Sequence, residues 1–256
     1  MNITLLGAHN TETVNTRLSG LLIDGVLALD AGGLTSSLSF AEQKKLKAVL
    51  ITHQHYDHIR DLPALAINLY LAKDTVNIYA ALPVSELITS HLFDGSIYPD
   101  YLERPVENPT VKLTVLEPHK TELIEGYDIL PVPVNHSVPA VGYQVTSPDG
   151  KSVFYTGDTG PGLTECWQQV TPQLLIIEVT ASNRFKHYER ESSHLTPNLL
   201  KQELVVFREQ KGYLPRVIIV HMSPEIEEEI RTELAVVADE LNTPIEPGYE
   251  GMEIDL

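Results

Sequence analysis

Thr52-His53-Gln54-His55-Tyr56-Asp57-His58 decides how this chain is read. The five residues before it, Lys47-Ala48-Val49-Leu50-Ile51, form a short β-rich apolar run, and residues 59–71 carry a helical pattern. Three histidines and an aspartate therefore share one strand-to-helix turn. Neutral imidazole nitrogens and carboxylate oxygens are the ligands that borderline divalent metals prefer. Two imidazoles one residue apart can address one ion, while Asp57 and His58, further round the turn, address a second. The alternative is a chance cluster on a solvated loop, a poor account of these offsets in a chain with ten histidines.

Outward from that turn, β-rich runs alternate with helical segments. Strands are expected at 2–6, 19–24, 26–30, 48–52, 76–80, 111–116, 128–133, 141–146, 152–156, 174–178 and 216–221. Asp24-Gly25 marks a tight hairpin, and Pro148-Asp149-Gly150 marks a turn. Helices are expected at 37–46, 58–71, 83–92, 197–210 and 226–241. Pro83 and Pro197 suit first helical turns. This order suggests two β-sheets sandwiched between helices. With no linker or repeat in sight, residues 1–256 are expected to form a single domain.

Composition narrows the function. The chain is 43% hydrophobic, with 18 Lys+Arg against 35 Asp+Glu and a net charge of −17. An acidic surface repels a polyanionic backbone, so extended nucleic acid is a disfavoured partner. A small phosphate ester held by bound cations remains compatible. The single cysteine, Cys166, excludes an intrachain disulfide and reads as a packing residue. The N-terminus lacks the basic and long apolar regions of a signal peptide, and no apolar run approaches a membrane span. A cytoplasmic protein without a membrane partner is expected.

His53-x-His55-x-Asp57-His58 after a strand resembles the signature of the metallo-β-lactamase superfamily. Three further stations follow in that family's order: Asn135-His136-Ser137, Thr156-Gly157-Asp158-Thr159-Gly160 and Val220-His221-Met222. The resemblance implies an α/β (α+β) four-layer αββα sandwich. It implies that His53, His55 and His136 bind one metal, that Asp57, His58 and His221 bind another, and that Asp158 bridges them. It also places Asp57 to orient the attacking water. Two divalent ions are implied, zinc first, with manganese or iron as alternatives. His55, where the di-iron electron-transfer branch has an acidic residue, favours a hydrolase. The Asp158 bridge, the lack of a cysteine near any ligand station and the missing export signal argue against a β-lactamase.

Within the superfamily, the matching stretches are most similar to class II cyclic-nucleotide phosphodiesterases. They include residues 50–59, 90–99, 136–143, 193–197 and 221–224. Tyr56 and Arg60-Asp61 depart from that subfamily's small or Gly/Ser-rich residues, beside the expected metals. Glu178 ends the apolar run 174–177 and so emerges at the ligand edge. With His194 it resembles the Glu–His pair of tRNA-processing phosphodiesterases, where it hands a proton to the leaving oxygen. A purely structural hydrogen bond is the other reading. His9 sits in a loop that can face the metals; His91, His119 and His187 read as surface or structural. Arg184, Lys186 and Tyr188 can touch a phosphate or stack a base, though a solvated loop is the simpler account. The acidic run 225–229 reads as a helix start favourable to the dipole.

The expected activity is hydrolysis of a small phosphodiester, such as a 3′,5′-cyclic nucleotide, by water ionised between two cations. A homodimer is compatible with the sequence. An RNA 3′-end endonuclease is the first rival, although the inserted basic arm of such enzymes has no counterpart here. A metal-dependent ester or lactone hydrolase is the second, and a metal-binding module without turnover the third.

Overall fold

Two sheets of seven strands each form the centre of the protein, in a computed structural model that describes residues 1–185 and 193–256. In chain order the elements are β1 (Asn2–Gly7), β2 (Gly20–Ile23), β3 (Leu27–Leu29), α1 (Leu34–Ser37), α2 (Phe40–Gln43), β4 (Ala48–Ile51), α3 (Tyr56–Ile59), α4 (Leu62–Ala72) and β5 (Val76–Ala80). They continue with α5 (Leu82–Leu87), β6 (Val111–Val115), β7 (Glu122–Ile124), β8 (Tyr127–Pro133), β9 (Val141–Thr146), β10 (Ser152–Tyr155) and α6 (Thr164–Gln169). Then come β11 (Leu174–Glu178), α7 (Pro197–Lys211), β12 (Arg216–Val220), α8 (Glu227–Leu241), β13 (Ile245–Pro247) and β14 (Glu253–Asp255). The first sheet runs β14-β1-β2-β3-β4-β5-β6 and the second β13-β12-β11-β10-β9-β8-β7.

Alternation along each strand explains the layers. Ala48 and Leu50 of β4 point into the core shared by the two sheets, where they meet Tyr143, Val153 and Ile176. Val49 and Ile51 point the other way, into a core with Leu62, Leu65 and Leu69 of α4. Leu174 and Ile176 of β11 face the shared core, while Leu175 and Ile177 face Leu200 and Phe207 of α7 and Leu234 of α8. A side-chain period of two thus gives both faces of a sheet something apolar to bury, and the run reads as continuously hydrophobic. Each fully buried Leu or Ile contributes roughly 1.5–3 kcal/mol. The result is the αββα order expected from the resemblance.

The Asp24-Gly25 hairpin forms with both residues at positive φ, 47° and 73°, as a tight turn between right-twisted strands requires. The expected helix 58–71 is two pieces. The chain turns at Arg60-Asp61, where Asp61 N–H donates to the Ala31 carbonyl (2.8 Å) and Asp61 Oδ2 accepts from Thr35 N–H (2.7 Å). Pro63, lacking an N–H, then sits in the first turn of α4. The expected helix 37–46 is likewise broken, and Ser39 and Glu42 form a reciprocal capping box that restarts it as α2. The expected helix 83–92 ends as α5, with a π-helical turn over Ile88–Leu92. Cys166 is buried beside Trp167, and burial pushes its thiol up to about 12, in keeping with packing. Among the described residues, no helix is long and apolar enough to cross a membrane.

The topology gathers the chemistry. β10, β11 and β12 are parallel neighbours, so their carboxyl ends share one edge, where ligands of α/β sheets collect. The end of β4 is stitched to the second sheet: Val141 N–H donates to the Thr52 carbonyl (3.1 Å) and Tyr143 Oη donates to that of Ile51 (2.8 Å). Gly157, at φ 59°, lets the turn after β10 press against Thr52, where a Cβ would lie only 2.8 Å from that side chain.

Candidate metal centre

Seven side chains from four segments converge at this edge. His53, His55, His136 and Asp158 place ligand atoms within 4.8 Å of one another, and Asp57, His58, Asp158 and His221 do the same. Asp158 belongs to both groups through different oxygens. Its Oδ1 lies 3.1 Å from His58 Nε2 and 3.4 Å from His221 Nε2. Its Oδ2 lies 3.7 Å from His53 Nε2 and 4.0 Å from His136 Nε2. One carboxylate therefore faces two separate nests of nitrogen.

Surrounding hydrogen bonds decide what those nitrogens present. His58 Nδ1 donates to Asp30 Oδ2 (2.7 Å) and His136 Nδ1 to the Ser193 carbonyl (3.1 Å). Thr52 Oγ1 gives its only hydrogen to Asp30, so it accepts from His53 Nδ1 (3.0 Å). Thr180 Oγ1 gives its hydrogen to Glu178 Oε2 (2.8 Å), so it accepts from His221 Nδ1 (2.8 Å). In each neutral ring the proton sits on Nδ1, and a lone pair on Nε2 is aimed inward. His136 Nε2 lies 3.1 Å from His55 Nδ1.

That arrangement fits divalent cations. Among the described residues, His53 Nε2, His58 Nε2 and Asp158 Oδ1 are buried with no hydrogen-bond partner. Orphaned buried acceptors cost free energy unless something electropositive lies between them. Electrostatics agrees. Burial pushes Asp158 up, yet His221, His58 and His53 more than reverse this and hold its carboxyl well below the usual range. Burial likewise opposes ionisation of Asp57, but His221, 3.1 Å from its Oδ2, and His58 hold it low. Burial lowers His53 well below its ordinary value. For His58 burial is outweighed by Asp158 and Asp30, which draw positive charge to that ring. The pocket asks for cations, supplied by protons or by metal.

Glu178 and His194 stand beside this cage. Glu178 is fully buried at the end of β11, and its Oε1 accepts from His194 Nδ1 at 2.6 Å. Thr159 N–H donates to the same oxygen (2.9 Å). The His194 ring stacks on His221 with centroids 5.4 Å apart and meets His136 edge-on at 5.2 Å. His194 lines an open cleft of about 560 Å³ with His55, Tyr56, Asp57, Arg60 and Asp158.

Every residue singled out in the sequence as a ligand or catalytic group is brought to this place. His9 is not: it is buried between Glu250 (2.6 Å) and Glu227 (3.3 Å). His91 is bound to Ser90 Oγ (2.7 Å), and His119 is held by Gln169. Arg184 pairs with Glu229 (3.2 Å) and lies over the Phe185 ring. Lys186, His187 and Tyr188 lie outside the described residues. Asp30 was missed. Fully buried, it accepts from His58, Thr52 and Tyr155. A polar residue closing an apolar strand was its only signal. Asp30 and His221 also take positive φ, 60° and 64°, backbone strain of the sort held at functional sites.

A family described as beta-lactamase superfamily domain matches residues 21–222. Ribonuclease Z of Pyrococcus abyssi is 33% identical over 156 residues, 58% of this chain and 48% of that protein. Ribonuclease Z of Prochlorococcus marinus is 27% identical over 158 residues, 57% of this chain and 49% of that one. The chain thus spans about half the length of the curated relatives it matches. Among solved structures, unliganded yeast PDE1 superposes with a TM-score of 0.84 at 18% identity, over 100% of this chain and 99% of that one. The metallo-beta-lactamase fold protein YhfI of Bacillus subtilis gives 0.77 at 17%, over 99% and 98%. The short form of human tRNase Z gives 0.71 at 18%, over 100% and 99%. At such identities these likenesses speak for the metallo-β-lactamase fold alone.

Proposed function

We propose that this chain, which belongs to the beta-lactamase superfamily domain family, is a metal-dependent hydrolase that cleaves a small phosphodiester, such as a 3′,5′-cyclic nucleotide. His53, His55 and His136 hold one divalent cation, Asp57, His58 and His221 a second, and Asp158 reaches both. Zinc suits imidazole and carboxylate donors best, and manganese or iron fits the same set. Such cations, when bound, supply the charge that neutralises phosphoryl oxygens and the acidity that ionises water.

The chain's own groups do the rest. Asp57, part-exposed at the cleft with its Oδ2 3.1 Å from His221 Nε2, orients the attacking water. Asp30, Thr52, Thr180 and the Ser193 carbonyl fix the imidazole tautomers. His194 carries a proton to the departing alkoxide, and Glu178, 2.6 Å from its Nδ1, steadies the charged ring. That pair is the observation carrying the phosphodiester reading, because an alkoxide leaving from phosphorus needs a proton that a thiolate does not.

A second reading, cleavage of RNA, is favoured by the relatives named ribonuclease Z. The net charge of −17 weighs against a long polyanion. Metal-loaded protein should hydrolyse bis-p-nitrophenyl phosphate and at least one cyclic nucleotide, and lose both activities on chelation. A precursor tRNA processed faster than any small diester, with binding that weakens steeply as salt rises, would shift the assignment to RNA. Turnover confined to lactones or thioesters would overturn it.

A further inference from the structure

A second recess adjoins the catalytic cleft. Thr11 lines both, and Asn10 on the cleft side donates through Nδ2 to Ser223 Oγ (2.8 Å) on the recess side. Its walls come from segments that directly follow the site. Ala181 comes one residue after Thr180, which orients His221, and Pro224 and Ile226 come just beyond His221 itself. Phe185 closes it, and the volume is about 620 Å³, within the range of small-molecule pockets.

Phe185 is held in place. Its N–H donates to the Ser182 carbonyl (3.0 Å), and the neighbouring Asn183 N–H donates to Glu233 Oε2 (2.8 Å). Arg184, pinned by Glu229 at 3.2 Å, covers the ring with its guanidinium 4.7 Å from the centroid. A fixed ring, 38% exposed, is a stacking surface that pays little ordering entropy when a planar group arrives. Charge limits what that group carries. Among the described residues, Glu225 is the one ionisable residue lining the recess, and no lysine or arginine lines it. A second phosphate would meet the Glu225 carboxylate there, while Arg184 is already paired with Glu229.

We propose that this recess seats the uncharged planar group of the substrate, a nucleobase or an aryl alcohol, while the scissile phosphodiester lies over the metal cage. The inference rests on the phosphodiesterase reading and adds to it a selection for mononucleotide-like esters over chains with a further phosphate. Phe185 supplies the stacking face, Ile226 and Pro224 the apolar wall, and Glu225 the exclusion of a further anion.

The test compares two esters with one leaving group, p-nitrophenyl methyl phosphate and p-nitrophenyl thymidine-5′-phosphate, in the metal-loaded full chain. The nucleoside ester should show a kcat/KM roughly tenfold or more above the methyl ester, the scale of one stacked base. Phe185→Ala and Ile226→Ala should bring that ratio towards one, with unchanged metal content and melting temperature. Adding a 3′-phosphate to the thymidine ester should abolish its advantage, and Glu225→Gln should restore part of it. Calorimetry with adenosine, which carries no phosphate, reads the recess without turnover: weak binding should be lost in Phe185→Ala. If both esters are inert yet adenosine binds in a Phe185-dependent way, the phosphodiesterase reading fails and the recess stands as a binding site. If the esters are cleaved with a ratio indifferent to Phe185 and Ile226, and adenosine does not bind, the recess has no such role.

Discussion

At the scale of single residues, the site depends on groups that never touch a substrate. Asp30 lies under the cage with its two oxygens shared among Thr52 N–H (2.9 Å), Thr52 Oγ1, His58 Nδ1 (2.7 Å) and Tyr155 Oη (2.9 Å). Asp30→Asn removes the charge that anchors His58 and turns an amide towards existing donors. A lost partner of this kind typically weakens metal affinity about 10–100-fold. Competition titration against a chromophoric zinc chelator reads the change, and affinity equal to that of the parent would remove Asp30 from the centre. His194 is open to a sharper test. His194→Ala should slow a cyclic nucleotide, whose alkoxide leaves poorly, by about 10²–10⁴-fold. It should slow bis-p-nitrophenyl phosphate far less, because nitrophenolate needs no proton. Equal slowing of both would make His194 a structural residue.

At the scale of elements, legibility followed length and periodicity. β4, β11 and β12 could be read because four consecutive apolar residues precede a polar station, and that adjacency also exposed most of the candidate ligands. The three-residue strands β7, β13 and β14 were not read, since they carry no repeat and exist by pairing with a neighbour already in place. The same holds for α6, six residues long. Breaks inside helices were hidden because capping by Ser39–Glu42 and the Asp61–Thr35 bond override an otherwise continuous pattern. The role of His9 is hidden in the sequence for a related reason, as its partners lie far along the chain. It joins the loop after β1 to Glu227, which opens α8, and to Glu250 in the turn before β14. Burial opposes the charged ring, but Glu250 and Glu227 raise His9 above 6.5. Burial also opposes the ionised carboxyl of Glu250, yet His9 and the Arg17 N–H hold it below 4.5. A raised imidazole contributes fully below its ordinary value and loses that contribution as pH climbs through the raised one. A lowered carboxyl contributes fully above its ordinary value and loses it as pH falls through the lowered one. The clasp is therefore complete between about 4.5 and 6.5. Unfolding free energies of the metal-loaded protein, from urea titrations, should fall above that window by about 1 kcal/mol more than those of His9→Asn or Glu250→Gln. Parallel curves would mean that the clasp adds no pH dependence.

At the scale of the whole molecule, the αββα layers were legible because each sheet buries two faces and each long helix one, but the metal cage has a meaning that no single layer carries. Its donors come from both sheets and approach one another only in the folded chain, so cations bound there stabilise the fold by linkage. Asp158 shows why the effect should be large, since its two oxygens face separate imidazole groups and its buried Oδ1 has no hydrogen-bond partner among the described residues. Free metal at about a thousand times its dissociation constant adds about 4 kcal/mol per site. A protein of this size shifts by roughly 2–4 °C for each kcal/mol. Chelation should therefore lower the melting temperature by roughly 15–30 °C and remove two equivalents of metal per chain. Asp158→Ala should melt like the chelated protein with metal present or absent, having lost the group that both nests share. A melting temperature indifferent to chelation, or a variant that still retains both equivalents, would show that the convergence of these side chains is not a metal centre. Without that centre, neither the oriented imidazoles nor the Glu178–His194 pair would have a reaction to serve.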